Sequence, residues 1–193
     1  MTLVYYSVHY IGHMDKINLV EYNYVVIGPG RTGSLLIMHA LGALVEHDRV
    51  IHTHNPINLR LPLVNDRDRW ILVRSYRKSE FDGAISQIIS SRTNEYSHYS
   101  NKHFVPEYVD LNNFDAIIIG RRNVYKEIDV RNYAYAIDIY LEDMLQYPYY
   151  LFEQFGQIDQ EFIKKTDQSP RHGKELISNY DEISQHWTEK YCS

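Results

Sequence analysis

A glycine-rich stretch near the N-terminus carries residue types that hold phosphate. The segment "YVVIGPGRTGSLLIMHAL", residues 24–41, joins an apolar run, a turn with Gly28, Gly30 and Gly33, and a second apolar run. This order predicts a buried strand, a tight turn and a helix. The first amides of such a helix have no internal partners, and together with the helix dipole they favour an anion. The segment therefore predicts a phosphate-binding loop.

The lysine of ATP-binding loops is missing from this stretch. Gly33 is followed by Ser34 and Leu35, where ATP-binding loops have a lysine and a hydroxyl that binds Mg²⁺. Arg31 inside the turn could add a two-pronged cationic contact, and Thr32 and Ser34 could donate hydroxyls. The turn favours an anion site but argues against ATP hydrolysis and kinase chemistry. A glycine turn that only reverses the chain is the alternative.

Length and composition limit the class of protein. The 193 residues suit one domain, and we expect residues 1–193 to form it. The net charge of -5 indicates no general attraction to nucleic acid or to an anionic membrane. The single cysteine, Cys192, argues against an intrachain disulfide and a cysteine-based zinc site. Without a signal peptide or an apolar run of about 20 residues, we expect a cytoplasmic protein.

Strand-like and helix-like segments alternate along the chain. Strands are predicted in segments 22–29, 49–56, 69–76 and 135–143, and helices in segments 33–45, 78–92, 112–129, 148–156 and 173–187. Segment 112–129 contains the strand-like run DAIII, but its apolar spacing favours a helix capped by Asn112 or Asn113. The alternation predicts an α/β fold with three layers, α/β/α, around a central parallel sheet.

Four further segments accompany the loop in a recognisable order. They are HTHNPINLRLP (52–62), RKSEFDGAIS (77–86), IYLEDMLQYPYYLFEQFG (139–156) and RHGKELISNYDEI (171–183). Together with GPGRTGSLLI, they resemble segments of the sulfotransferases that use 3′-phosphoadenosine 5′-phosphosulfate (PAPS). The resemblance implies a P-loop NTPase-like sulfotransferase fold. It also implies transfer of a sulfuryl group to a small-molecule or carbohydrate acceptor, with 3′-phosphoadenosine 5′-phosphate (PAP) as product and no metal.

The resemblance implies binding roles for individual residues. The 5′ side of PAPS would be held by Gly30, Arg31, Thr32, Gly33 and Ser34, with Leu35 as a backbone contact. Arg77 and Ser86 would hold the 3′-phosphate, and Arg74 is the alternative arginine. Arg171 or Lys174 would close over the nucleotide from the tail.

Two residues have implied catalytic roles. His54 matches the family's base, and it closes a predicted strand where open α/β sheets keep their sites. A histidine suits this task because its pKa lies near neutrality. Arg31 and the loop amides would stabilise charge on the departing phosphate. His52 departs from the family pattern, because it stands where the cytosolic enzymes have a lysine.

Two alternatives to sulfuryl transfer remain open from the sequence. One is a small-molecule kinase-like transferase, which the missing lysine disfavours. The other is a nucleotide-binding protein that has kept the loop but lost the transfer reaction. The polar, aromatic segment 90–108 is either an ordinary surface loop or a lid over the acceptor.

Overall fold

The computed structural model describes residues 19–55, 67–93, 105–146 and 173–192. Within these ranges the strands are β1 (Asn23–Ile27), β2 (Val50–Thr53), β3 (Trp70–Tyr76) and β4 (Tyr135–Tyr140). They form one sheet in the order β2-β1-β3-β4, and every neighbouring pair is parallel. The prediction of an α/β fold with a parallel sheet is confirmed.

The helices follow the strands along the chain. They are α1 (Ser34–Leu44), α2 (Glu80–Thr93), α3 (Leu111–Lys126), α4 (Leu141–Gln146), α5 (Gly173–Leu176) and α6 (Tyr180–Tyr191). Short 3₁₀ turns occur at Leu19–Glu21, His47–Arg49, Arg67–Arg69 and Val130–Asn132. In the described part of the chain, no helix has the length and apolar character needed to cross a membrane.

The strand β1 is buried on both of its faces. Tyr24 and Val26 point into a core that contains Leu36 and Leu41 of α1. Val25 and Ile27 point the other way, into a core shared with the C-terminal part of α3. This continuous burial explains why the strand is an unbroken apolar run, as in parallel sheets covered on both sides. A third core joins α2, α3 and α6 with Val109 and Ile177, which lie outside the helices.

Two details of the predicted elements were wrong. The cap of α3 is Asp110 and not Asn112 or Asn113, because the amides of both asparagines donate to Asp110 Oδ1 at 2.9 and 3.2 Å. The strand β4 ends at Tyr140, and the following acidic pair lies in the first turn of α4. Acidic residues are favoured there by the helix dipole, which the alternating apolar pattern did not reveal.

Several predictions lie outside the described residues. These are the helix at 148–156, most of the proposed lid and Arg171. The HTHNPINLRLP segment is described only as far as Asn55.

The order of the strands defines a crevice. The helix after β1 packs on one face of the sheet, whereas α3, in the connection after β3, packs on the other. Because β1 and β3 are neighbours, their carboxyl ends form a topological switch point. Open α/β sheets bind ligands at such points. The glycine loop and Arg77 both follow strands that end at this crevice.

Candidate functional site

The glycine loop between β1 and α1 has an unusual backbone. Arg31 and Gly33 have positive φ values of 69° and 78°. Such a conformation costs a non-glycine residue of the order of 1–3 kcal/mol and is concentrated at ligand sites. Gly33 begins α1 without a side-chain cap, so the first amides of that helix have no capping side chain. This end of α1 can therefore offer its amides to an anion.

Gly28 is required by close packing at the start of the loop. A Cβ atom on Gly28 would lie 2.1 Å from Ser75 Oγ and 2.6 Å from the Ser75 carbonyl oxygen. Gly30 differs, because a Cβ atom there would meet only Gln87, at 3.9 Å. The first glycine thus lets the loop pass against β3, whereas the second leaves open space beside the turn.

The hydroxyl of Thr32 stabilises the loop from inside. Thr32 is buried and donates to the Pro29 carbonyl at 2.8 Å. Its oxygen also lies 2.6 Å from Ser75 Oγ on β3. Because this hydroxyl is engaged within the protein, any contact between Thr32 and a ligand would use the backbone. Leu35, by contrast, is exposed on the first turn of α1.

His54 lies beside the loop immediately after β2. Its Nδ1 is 2.6 Å from the carbonyl oxygen of Gly28. A carbonyl can only accept a hydrogen bond, so Nδ1 carries the proton and donates it. In the neutral imidazole, Nε2 then has a free lone pair. The side chain is exposed, so in this tautomer Nε2 is the nitrogen that a ligand can reach as a proton acceptor.

His52 is the second histidine of this strand. Its Nε2 is 2.9 Å from Ser34 Oγ, and its ring centroid is 4.8 Å from that of His54. Burial, followed by the nearby His54 and His39, lowers the pKa of His52 to about 4. His52 is therefore neutral at pH 7, and it brings no positive charge where the resembled enzymes have lysine.

Arg31 and Ser86 are brought together although 55 positions separate them. Arg31 Nε donates to Ser86 Oγ on α2 at 3.1 Å. The resemblance to sulfotransferases implies opposite ends of the nucleotide for these two residues. The contact shows that the loop and the N-terminal half of α2 form one continuous surface.

Arg74 and Arg77 occupy different environments at the end of β3. Arg74 lies opposite Asp138 of β4 and donates to both of its carboxylate oxygens, at 2.6 and 2.8 Å. Arg77 makes a longer contact of 3.3 Å from Nε to Glu142 Oε1. The bidentate pair compensates the charge of Arg74 more fully. Of the two arginines, Arg77 is the better placed to attract an anion.

The acidic pair of α4 joins this helix to the end of β3. Glu142 also accepts a hydrogen bond from the Lys78 amide at 2.9 Å, and Asp143 pairs with the Lys78 ammonium group. These contacts hold the segment between β3 and α2 beside the crevice. Lys174 lies exposed on α5, where it contacts Asp181 at 3.3 Å.

Arg121 contacts the loop from α3 and was missed by the sequence analysis. Its Nη1 donates to the Gly30 carbonyl at 2.6 Å and to Gln87 Oε1 at 2.9 Å. The only available signal was an arginine on the otherwise apolar face of a predicted helix. We call Arg31, Arg77 and Arg121 the loop cluster.

The charges of the loop cluster oppose one another. Burial lowers the pKa of Arg31, and the charge of Arg77 lowers it further. Burial also lowers the pKa of Arg121 to about 10, again with a contribution from Arg77. Groups whose charged form is disfavoured in this way are concentrated at functional sites. An anion bound among them would relieve the repulsion.

Comparisons of the chain with protein families, with curated proteins and with solved structures found no match. Within the described ranges, no group of three or more histidine, cysteine, aspartate or glutamate side chains is placed to hold a metal ion. The chemistry open to the crevice depends on its own side chains and backbone amides. These offer cations, helix amides and a neutral imidazole, which together suit an anionic ligand and a proton transfer.

Proposed function

We propose that this protein is a PAPS-dependent sulfotransferase that acts on a hydroxyl or amine of a small acceptor. The observation that carries the proposal is the hydrogen bond from His54 Nδ1 to the Gly28 carbonyl. It joins a base in the correct tautomer directly to an anion-binding loop. Amide donors for a leaving phosphate and a proton acceptor for the attacking group are thus adjacent.

The chain's own residues would perform three tasks in this reaction. His54 Nε2 would take the proton of the acceptor as its oxygen or nitrogen bonds to sulfur. The bond from sulfur to the bridging oxygen would break, leaving its electron pair on the 5′-phosphate of PAP. Arg31 and the first amides of α1 would stabilise that charge, as donors aimed at a developing anion do.

A nucleotide with two separate phosphates suits the crevice. Arg31 stands in the loop after β1, whereas Arg77 stands after the neighbouring strand β3. Ser86 could serve either phosphate site. Its hydroxyl contacts Arg31 of the loop, and it belongs to α2, the helix that follows Arg77. These positions support the loop for the 5′ side of PAPS and Arg77 for the 3′-phosphate.

One observation favours the second candidate, a nucleotide-binding protein without transfer activity. The lowered pKa of His52 removes a positive charge that the resembled enzymes supply by lysine. The kinase-like alternative is weaker, because Ser34 stands at the lysine position of ATP loops and its hydroxyl contacts His52.

Thermal unfolding with PAP, ATP·Mg²⁺ and AMP tests the proposal. A specific ligand at 100 times its Kd stabilises by about 2.7 kcal/mol, which raises Tm by about 5–10 °C for a chain of this size. We expect this shift with PAP, a smaller one with AMP and none with ATP·Mg²⁺. The variant Arg77→Ala should lose most of the PAP shift and keep that of AMP. A shift with ATP·Mg²⁺ alone would contradict the proposal.

A further inference from the structure

Arg121 is a buried charge that the fold alone does not explain. The residue is 4% exposed, and its guanidinium is held by a carbonyl and a side-chain amide, which are both neutral. Within the described residues, its Nε is buried without a hydrogen-bond partner. Burying a charge costs stability unless it is fully paired and hydrogen-bonded. An apolar side chain would suit the core better, which points to a role outside folding.

The contact with Gly30 sets the orientation of a peptide in the loop. The peptide between Gly30 and Arg31 is trans, so its carbonyl and its amide point in opposite directions. Arg121 holds the carbonyl towards α3 at 2.6 Å and thereby turns the Arg31 amide away from α3. If this peptide were flipped, a carbonyl with its partial negative charge would replace the amide.

A glycine on α2 gives Arg121 its position. A Cβ atom on Gly83 would lie 2.3 Å from Arg121 Nη2 and 3.4 Å from Arg77 Cδ. The missing side chain lets both arginines pack against α2, beside Gln87 and the loop. The charge of Arg77 lowers the pKa of both Arg31 and Arg121, so an anion bound between them would be attracted by all three cations.

We infer that Arg121 is a positioning residue of the anion site, which holds the Gly30–Arg31 peptide with its amide turned towards the ligand. The chemical class that this arrangement recognises is a phosphate or pyrophosphate-like group, of which a phosphosulfate is one case. The inference rests on the proposed function only for the identity of the nucleotide.

Calorimetric titration of inorganic pyrophosphate and of PAP into four proteins tests this role. They are the wild type, Arg121→Met, Arg121→Lys and the control Arg122→Met, whose arginine pairs with Glu80 at the surface. The control loses the same charge from the same helix without touching the loop. We expect Arg121→Met to weaken pyrophosphate binding about tenfold or more, since a hydrogen bond to a charged group is lost. Arg122→Met should stay within about twofold.

The lysine variant keeps the test decisive if the methionine variant fails to fold. Lysine retains the charge but lacks the planar fork that spans Gly30 and Gln87, so we expect a loss of about threefold to tenfold at an unchanged Tm. Affinity equal to the wild type in either folded variant overturns the inference, as does a loss in Arg121→Lys that comes with a large fall in Tm. Binding of pyrophosphate but not PAP by the wild type contradicts the proposed function alone. If the wild type binds neither pyrophosphate nor PAP, the inference is overturned.

Discussion

The loop cluster and a second charged group near the C-terminus differ in the partners that surround their charged side chains. The second group, here the tail cluster, consists of Asp115, His186, Lys190 and Tyr191. In the tail cluster one carboxylate of α3 receives donors from three side chains of α6, at 2.6 to 2.9 Å. In the loop cluster, Arg77 contacts the Glu142 carboxylate at 3.3 Å, whereas Arg31 and Arg121 donate to a hydroxyl, a carbonyl and an amide oxygen.

The pKa values of Asp115, Arg31 and Arg121 are all lowered, but the shift stabilises the charged form of the carboxylate and disfavours that of the arginines. Burial alone would raise the pKa of Asp115, but hydrogen bonds from Lys190, Tyr191 and His186 lower it to about 2. Its charged form is therefore stabilised, whereas the charged forms of Arg31 and Arg121 are disfavoured by burial. The tail cluster is complete within the protein and serves to attach α6. In the loop cluster, burial works against the charges of Arg31 and Arg121, which an anionic ligand would offset.

The largest expected effect is a loss of transfer activity in His54→Ala with little change in nucleotide binding. Replacing His54 by alanine removes the proton acceptor but no donor to a phosphate. We expect transfer from PAPS to fall by about 10²–10⁴-fold, the usual contribution of a general base. The Kd for PAP should change by less than about threefold. PAP release measured by chromatography over a panel of hydroxyl and amine acceptors gives the first number, and calorimetry gives the second.

Unchanged turnover in His54→Ala would exclude this residue from the mechanism. Asp115→Asn is the matched control from the tail cluster. It should lower the Tm while leaving turnover per folded molecule unchanged.

A pair of glycine variants tests how tightly the loop is held. In Gly28→Ala the new methyl group would overlap Ser75, and we expect a loss of about 2–3 kcal/mol in the free energy of unfolding. In Gly30→Ala the methyl group meets only Gln87 at 3.9 Å, so the loss should stay within about 0.5 kcal/mol. Urea unfolding measures both values. Equal losses would mean that the contact with β3 does not determine the loop.

The smallest expected effect is a difference in acid sensitivity between His52, which lies beside the glycine loop, and Asp115 of the tail cluster. His52 has a folded-state pKa of about 4, below its ordinary value of about 6.5, so the unfolded chain binds a proton first as the pH falls. Stability should therefore decrease between pH 6.5 and pH 4, by about 1–2 kcal/mol because the ring is partly solvated. Asp115 acts below that range, since its stabilisation is lost as the pH falls from about 3.8 towards 2.

Urea unfolding across these pH values separates the two contributions. The variant His52→Asn should flatten the upper part of the profile and leave the lower part unchanged. Asp115→Asn should do the reverse. A profile that does not respond to His52→Asn would show that this histidine titrates normally.

Local patterns predicted most of the regular structure. The apolar run and the glycine turn indicated β1 and α1, which extend over Asn23–Ile27 and Ser34–Leu44. Segment 112–129 was correctly predicted as a helix, because its apolar spacing outweighed the short DAIII run. The boundary of β4 was missed because a strand and the following helix share a continuous apolar pattern there.

The candidate site was predictable only in part. Arg31, His54 and Arg77 stood out because each follows a predicted strand or lies in a glycine turn. Arg121 did not, since its contact with Gly30 spans 91 positions and no local pattern reports it. The choice between Arg74 and Arg77 was also open, because it depends on which strand lies beside β3.

The sequence by itself determined the strand–loop–helix unit, since backbone propensity, glycine positions and apolar spacing act over a few residues. Only the tertiary structure decided which partners those residues meet. It put β4 beside β3, so Asp138 engages Arg74 and leaves Arg77 with a looser partner. It also joined His54 to Gly28 and Arg121 to Gly30. These contacts depend on the packing of distant segments, which sets the tautomer of His54 and the surroundings of the buried Arg121 charge.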